Sequence, residues 1–258
     1  MSGDELPSSA LLRGATRRTT CWGVAPVEIA QRLAREVGKL GFSAPITHVY
    51  HPLDYAFAAH RVYLERFAKP RVGAVLLGMN PGPWGMAQTG VPFGEITHVK
   101  EWLGINETVS APGHTHPKRP VQGFACSRSE VSGARLWGWA KQRYGTPKAF
   151  FERFFVLNYC PLSFMTETAR NVTPDKLPNH ERKALFVPCD RALVAMVDWL
   201  QPRAVVGVGK FAEARAREAL AGRDVRIASL LHPSPASPAA NRGWAAQAER
   251  QLRALALL

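Results

Sequence analysis

The sequence predicts an α/β fold, in which a central, mainly parallel four-stranded sheet lies between two layers of helices. Three observations favour this class: apolar runs of strand length alternate with stretches of helical periodicity, 46% of the residues are hydrophobic, and 258 residues can bury a sizeable core. Parallel strands buried on both faces have near-continuous apolar sequences, and helices cover them. We therefore expect a three-layer α/β/α domain over residues 25–258, preceded by a flexible basic tail over residues 1–24.

Apolar runs give the predicted strands, and apolar residues at helical spacing give the helices between them. The strands are expected at 72–77, 154–158, 204–208 and 225–231. The helices are expected at 26–40, 53–67, 95–104, 133–144, 188–200, 210–221 and 243–257, with an irregular helix after Thr173 that Pro178 interrupts.

A long loop after the first predicted strand organises the chain. Between residues 78 and 95 it contains five glycines and three prolines, together with the carboxamide of Asn80. Prolines fix the backbone, while glycines allow positive φ or the close approach of a ligand. Loops of this length in compact domains are usually functional, although an ordinary strand-to-helix turn remains the alternative.

Two further polar residues follow predicted strands: Asn158 after the second and His232 after the fourth. A single histidine is more often structural than catalytic, but this one begins a proline-rich loop with a basic and aromatic end. Parallel strands bring their carboxyl ends to one edge of the sheet, where α/β proteins bind ligands. We therefore expect Asn80, Asn158 and His232 to lie close together.

Composition points to an anionic partner and to the absence of a metal or cofactor. The net charge of +13 favours nucleic acid, with a generic basic protein as the alternative. The cysteines form no C-x-x-C pair, so a zinc ribbon or an iron–sulfur cluster is not expected; they are Cys21, Cys126, Cys160 and Cys189. The pair His114 and His116 is weak support for a metal. We find no signal-peptide or membrane-spanning pattern and expect a reducing compartment.

The segment 207–212 matches the G-x-G-x-x-A form of a dinucleotide-binding fingerprint. That motif also requires an acidic residue at the end of the next strand. The next predicted strand ends at His232, and Asp224 lies before it, so we interpret the glycines as a tight strand-to-helix turn.

Several ordered motifs resemble those of the single-strand-selective monofunctional uracil-DNA glycosylases, family 3 of the uracil-DNA glycosylase superfamily. The likeness extends from about residue 25 to the end. The motifs are GMNPGP (78–83), GMAQTGVPFGE (85–95), SEVSGAR (129–135), NYCPL (158–162), HPSP (232–235) and ANRGW (240–244).

The resemblance implies roles for the residues that match these motifs. Asn80 would orient the attacking water, and His232 would donate to O2 of the departing uracil anion. Asn158 would read the uracil edge, and Phe93 would stack on the base. The backbone of three residues would line the C5 side of the base; they are Met79, Gly82 and Met86.

The resemblance also implies a loop that enters the duplex and fills the space left by the flipped base. We call it the wedge loop; the residues expected to contact DNA are Pro233, Ser234, Pro235, Ala236, Asn241 and Arg242. Vertebrate members of the family carry a long basic residue where this chain has Ala236. We therefore expect weaker action on paired DNA.

The expected activity is that of a monofunctional DNA repair glycosylase. It would hydrolyse the N-glycosidic bond of uracil, and of 5-hydroxymethyluracil, in single- and double-stranded DNA without a cofactor. We expect a monomer that acts in the cytoplasm at a bacterial nucleoid, or in a nucleus. The alternatives are a glycosylase of the same fold for hypoxanthine or xanthine, and a non-catalytic module that binds damaged DNA.

Overall fold

The computed structural model describes residues 25–258. The predicted basic tail at residues 1–24 lies outside the described residues. Within the described range the main sheet has four strands, all parallel, in the order β3-β2-β6-β7. Its strands are β2 (Ala74–Gly78), β3 (Phe154–Asn158), β6 (Ala204–Val208) and β7 (Arg226–Leu230). The predicted strands are thus confirmed within two residues at each end, and β2 and β6 are buried along their whole length.

Helices follow the strands and cover the sheet. In chain order they are α1 (Pro26–Val37), α2 (Pro52–Tyr55), α3 (Phe57–Phe67), α4 (Met86–Thr89), α5 (Val131–Tyr144), α6 (Pro147–Phe151), α7 (Asn179–Leu200), α8 (Lys210–Ala219), α9 (Pro238–Asn241) and α10 (Trp244–Ala254). Helix α8 packs on β6 and β7, α7 packs on α8, and α1 packs on α7. Helices α5, α6 and α10 form a second group, in which α6 contacts β3 and α10 contacts β7.

The strand order explains why helices lie on both faces. The connection from β2 to β3 moves toward one edge of the sheet, whereas the connection from β6 to β7 moves toward the other. Since such crossovers are right-handed, connections in opposite directions lie on opposite faces. The three-layer α/β/α prediction is confirmed. The reversal also creates a switch point between β2 and β6, outside whose carboxyl ends ligands bind in this class of fold.

A second, three-stranded antiparallel sheet was not predicted. It pairs β1 (His48–Tyr50) with β4 (Ser163–Met165), and β4 with β5 (Asn171–Val172). These strands have two or three residues each, too few for a period-2 pattern to stand out in the sequence. The small sheet places Asn171, the first residue of β5, beside the carboxyl ends of the main-sheet strands.

The start of the helix predicted at 188–200 is wrong. Helix α7 runs from Asn179 to Leu200 through Pro188, with Pro178 at its N-cap and only a short 3₁₀ turn at Pro174–Lys176 before it. An internal proline costs about 3 kcal/mol, through a lost hydrogen bond and a steric clash. Burial of Leu185, Cys189 and other residues of one face compensates for that cost.

Two further helix predictions differ in detail. The helix expected at 53–67 is divided at Ala56 into α2 and α3. The helix expected at 95–104 is a single π-helical turn, His98–Trp102, preceded by Glu95, which accepts a hydrogen bond from the backbone N–H of His98. None of the helices described between residues 25 and 258 is long and apolar enough to cross a membrane.

Candidate active site

A cavity of about 380 Å³ opens at the carboxyl ends of the parallel strands. Its size is within the range of small-molecule sites, about 300 to 1,000 Å³. The residues that line it are Met79, Asn80, Pro81, Gly82, Pro83, Met86, Phe93, Glu130, Ser132, Asn158, Asn171, Thr173, His232 and Ser234. The structure thus brings together all seven residues for which the sequence predicts catalytic or base-binding roles.

Asn80 lies two residues beyond the end of β2 and is half-buried. Its amide nitrogen Nδ2 donates to the carbonyl oxygen of Leu162 at 3.1 Å, which fixes the orientation of the carboxamide. No hydrogen-bond partner of Oδ1 is present among the described residues. This oxygen can therefore accept a hydrogen bond from a water molecule in the cavity.

Asn158 ends β3 and pairs in register with Gly78 at the end of β2. Its Nδ2 donates to the thioether sulfur of Met86 at 3.2 Å. A thioether sulfur can accept a hydrogen bond but carries no hydrogen to donate. The contact therefore favours the orientation in which the nitrogen of the carboxamide faces Met86, and the second N–H and the oxygen of Asn158 remain for a ligand.

Phe93 adopts a left-handed backbone conformation, with φ of 52°. Such a conformation costs a non-glycine residue about 1–3 kcal/mol and persists only where its surroundings impose it. Here the Phe93 carbonyl accepts from the backbone N–H of Glu95 at 2.7 Å and lies so close to Gly133 of α5 that a Cβ there would overlap it. The ring of Phe93 lies 6.2 Å from the ring of His232, centroid to centroid.

His232 follows β7 and is half-buried at the cavity wall. Burial lowers the pKa of its imidazole from the usual 6.5, so the neutral form predominates at neutral pH. Gly209, with φ of 93°, approaches the histidine closely: a Cβ there would lie 3.3 Å from the His232 Cβ. A Cβ at Gly207 would overlap the backbone of Glu213. Packing against α8 and His232 therefore accounts for both glycines of the fingerprint-like segment.

Glu130 is a cavity residue that the sequence analysis did not single out. Its Oε2 accepts from the backbone N–H of Trp84 at 3.2 Å, and a Cβ at Gly82 would lie only 2.5 Å from the same oxygen. Burial raises the pKa of this carboxyl, against the opposing effects of the Trp84 N–H and Arg119. The SEVSGAR motif could have identified Glu130 as a site residue, because a carboxylate outside such a motif indicates no particular role.

Arg135 of α5 fixes the wedge loop through hydrogen bonds. The sequence did not predict a functional role for this residue. Its Nη1 donates to the carbonyl oxygens of Pro233 and Ser234 at 3.1 and 3.2 Å. Its Nη2 donates to Oδ1 of Asn241 at 2.8 Å.

Most of the wedge loop is exposed, but one of its residues is engaged within the protein. The amide nitrogen of Asn241 donates to the Pro235 carbonyl at 2.9 Å. Both ends of its carboxamide are thus used internally, so Asn241 braces the loop. The exposed residues are Pro235, Ala236, Asn241 and Arg242, whereas Pro233 is buried and Ser234 is half-buried.

The histidine pair His114 and His116 lies in a separate cluster. The ring of His48 lies against both at a tilt, at centroid distances of 4.1 and 4.6 Å. Both ring nitrogens of His116 are engaged, since Nδ1 accepts from the Lys118 N–H and Nε2 contacts the carbonyl of Glu167. Over residues 25–258 no three His, Cys, Asp or Glu side chains are grouped as metal ligands.

Comparisons with known proteins show which family the chain resembles. A family model described as the uracil DNA glycosylase superfamily matches residues 65–254. The single-strand selective monofunctional uracil-DNA glycosylase of Rattus norvegicus is 48% identical over 254 residues, which cover 98% of this chain and 90% of the relative. The protein so named from Bos taurus is 49% identical over 229 residues, or 88% of this chain and 84% of the relative.

A solved structure shows the same fold at low sequence identity. The crystal structure of wild-type Pedobacter heparinus SMUG2 matches with a TM-score of 0.60 and 17% identity, covering 88% of this chain and 98% of that one. The family model and the relatives both extend over most of the chain. The chain therefore belongs to the uracil-DNA glycosylase superfamily, as a member of its single-strand-selective monofunctional uracil-DNA glycosylases.

Proposed function

We propose that the chain, through one catalytic domain over residues 25–258, hydrolyses the bond between N1 of uracil and C1′ of deoxyribose in DNA and leaves an abasic site. The observation that carries this proposal is the meeting of Asn80, Phe93, Asn158 and His232 in one cavity at the switch point of the sheet. Together they offer an aromatic face, a carboxamide for the base edge, an acceptor for water and an N–H donor. A glycosylase that acts on an extruded base needs these four elements.

His232 stabilises the departing base. When the glycosidic bond breaks, the electron pair stays with uracil and collects largely on O2, so an N–H aimed there lowers the barrier. The lowered pKa of His232 means that a neutral imidazole makes this hydrogen bond. One such preorganised donor is worth about 3–4 kcal/mol of the activation barrier.

Asn80 positions the water that attacks C1′. A carboxamide cannot act as a strong base, but an oxocarbenium-like sugar is electrophilic enough to accept a water held at its face. The hydrogen bond from Asn80 Nδ2 to the Leu162 carbonyl orients the carboxamide so that Oδ1 is available to hold this water. Neither group forms a covalent bond to the sugar, so the reaction ends at the abasic site without strand cleavage.

Asn158 selects uracil over cytosine. Its oxygen accepts N3–H and its nitrogen donates to O4, whereas cytosine presents the opposite pair of groups. A bidentate contact of this kind is worth about 1–3 kcal/mol of discrimination. The Met86 sulfur supports this orientation of the carboxamide.

The C5 side of the base faces the backbone near Met79, Gly82 and Met86. A water held there can be replaced by the hydroxyl of 5-hydroxymethyluracil. The methyl group of thymine cannot replace the hydrogen bonds of that water, so thymine is rejected.

The protein acts as a monomer on both single-stranded and paired DNA. The wedge loop fills the gap left in a duplex, with Arg242 near phosphate. With only a methyl group at Ala236, insertion into paired DNA is weak, so single-stranded uracil is the better substrate.

The test is alkali-revealed cleavage of a labelled oligonucleotide with one uracil, in the presence of a chelator and under single-turnover conditions. Release should occur from single-stranded DNA and, more slowly, from a U·A pair, and strand breaks should form only after alkali. His232→Ala should slow release a hundredfold or more. In Asn158→Asp, loss of the donor to O4 should weaken selectivity for uracil.

Absence of release from any uracil substrate, with a working control enzyme alongside, would contradict the proposal. Parallel oligonucleotides with hypoxanthine or xanthine would then show whether another deaminated base is removed. Equal rates on single-stranded uracil and the U·A pair would contradict the argument from Ala236.

A further inference from the structure

Two arginine side chains lie over one tryptophan ring at the rim of the cavity. The guanidinium carbon of Arg119 is 5.0 Å from the centroid of the Trp84 ring, and that of Arg128 is 4.9 Å from it. Trp84 is half-buried, Arg119 is half-buried and Arg128 is exposed. We propose that this cluster, the Arg119–Trp84–Arg128 platform, binds two backbone phosphates of the DNA strand beside the flipped nucleotide. This inference rests on the proposed function for its ligand, DNA.

The position of the platform is fixed by the cavity itself. The N–H of Trp84 donates to Glu130, and Glu130 lines the same cavity as Asn80 and His232. Trp84 also directly follows Pro83 of the cavity wall. A strand whose base enters the cavity can therefore continue across this rim.

The guanidinium groups keep their hydrogen-bond donors available. In the part of the chain that the structure describes, neither side chain donates to a carboxylate or a carbonyl, although Glu130 attracts Arg119 electrostatically. A guanidinium lying over an aromatic face is held by the ring and still presents its N–H groups at its edge. Planar N–H pairs of this kind match the oxygens of a phosphate.

The two positive charges of Arg119 and Arg128 also favour the binding of an anion. Arg119 and Arg128 place two like charges beside one ring, and the electrostatic interaction with Glu130 involves Arg119. The backbone of Arg119 is anchored, since its N–H donates to the His116 carbonyl and its own carbonyl accepts from Tyr50. At Arg119 only the side chain needs to adjust when a phosphate binds, which lowers the entropy cost of that contact.

Arg119→Gln, Arg128→Gln and the double variant test the platform. The control is Arg61→Gln, because Arg61 also lies over an aromatic ring, that of Phe57 at 5.8 Å, but on α3. Affinity for a single-stranded oligonucleotide with a tetrahydrofuran abasic site is measured from 50 to 200 mM KCl. Single-turnover uracil release at saturating DNA is measured in parallel.

Each phosphate contact to single-stranded DNA contributes about 0.7 to the slope of log affinity against log salt. The double variant should therefore lose about 1.4 of that slope, each single variant about half as much, and release at saturating DNA should stay within about threefold of wild type. A slope in the double variant equal to that of Arg61→Gln would overturn the inference. Absence of uracil release by wild type would instead contradict the proposed function, and the salt slope would still decide whether the platform binds DNA.

Discussion

Gly78 and Asn158 are paired in register at the ends of β2 and β3, and the side chain of Asn158 occupies the space beside Gly78 where a Cβ would be. The ring of Phe93 approaches that space from another direction: its Cε2 would lie 2.6 Å from such a Cβ. Gly78 thus forms the floor between the base-reading carboxamide and the stacking ring. The pocket requires the absence of a side chain at this position, whereas the strand itself could continue through many other residues.

Gly78→Ala should therefore damage the pocket more than the fold. The added methyl group must displace Asn158 or Phe93, and we expect uracil release to fall at least a hundredfold. The thermal midpoint should change by only a few degrees, as for a change of about 1 kcal/mol. A matched control is Gly138→Ala on α5, where the nearest atom to an added Cβ is 3.7 Å away. Equal activity of the two variants would contradict the argument.

Met86→Leu tests whether the sulfur orients Asn158. Leucine has a similar volume but cannot accept a hydrogen bond, so the carboxamide loses its preferred orientation. We expect uracil release to slow about fivefold, in line with the loss of one modest hydrogen bond. Met196→Leu, at another buried methionine, should have wild-type rates. Wild-type rates in Met86→Leu would show that other contacts orient the carboxamide.

The pH dependence of uracil release should reflect a neutral His232. Burial lowers its pKa below 6.5, so the imidazole stays neutral as the pH rises from 6.5 to 8. The single-turnover rate should therefore be flat over that interval. A fall of about tenfold per pH unit above 6.5 would instead indicate a required imidazolium. His232→Gln, which keeps an N–H donor without titrating, should follow the flat profile at a reduced rate.

Arg135→Lys should affect paired DNA more than single-stranded DNA. Arg135 reaches Pro233 and Ser234 from Nη1 and Asn241 from Nη2, whereas a lysine has all its donors on one nitrogen, so the wedge loop loses its fixed shape. We expect release from a U·A pair to slow about tenfold and release from single-stranded uracil to change less than threefold. Arg143→Lys, on the same helix and paired with Glu249, is the control. An equal loss on both substrates would assign Arg135 to the pocket instead.

His60 should make the fold acid-sensitive. It is buried beneath the loop over residues 78–95, where Nδ1 contacts the carbonyl of Gly90 at 2.8 Å, and burial lowers its pKa from 6.5 to about 4. Between these pH values the unfolded chain binds a proton that the folded chain does not, so the free energy of unfolding falls as the pH falls.

The effect of His60 reaches about 3 kcal/mol at pH 4 and vanishes above pH 6.5. His60→Asn, which can still donate to Gly90, should lose less stability than wild type between pH 7 and pH 4 in urea titrations. Parallel curves for the two proteins would contradict this assignment.

Local patterns in the sequence determined the main sheet. The runs at 154–158 and 204–208 have the bounds of β3 and β6, because strands buried on both faces must be apolar throughout. The placement of Asn80, Asn158 and His232 at strand ends also followed from the chain alone, since parallel strands share one edge. Family motifs supplied the expected roles of these residues, and the comparisons established the family.

Tertiary structure decided what depends on contacts between distant segments. Helix α7 continues through Pro188 because burial of one face of the helix outweighs the cost of a proline in a helix interior. The contacts of Arg135 with the wedge loop join residues about a hundred positions apart, and those of Trp84 with Arg119 and Arg128 join three separate loops. Sequence periodicity reports only the neighbours of a residue along one helix or strand. Partners brought together by folding of the whole chain leave no such pattern.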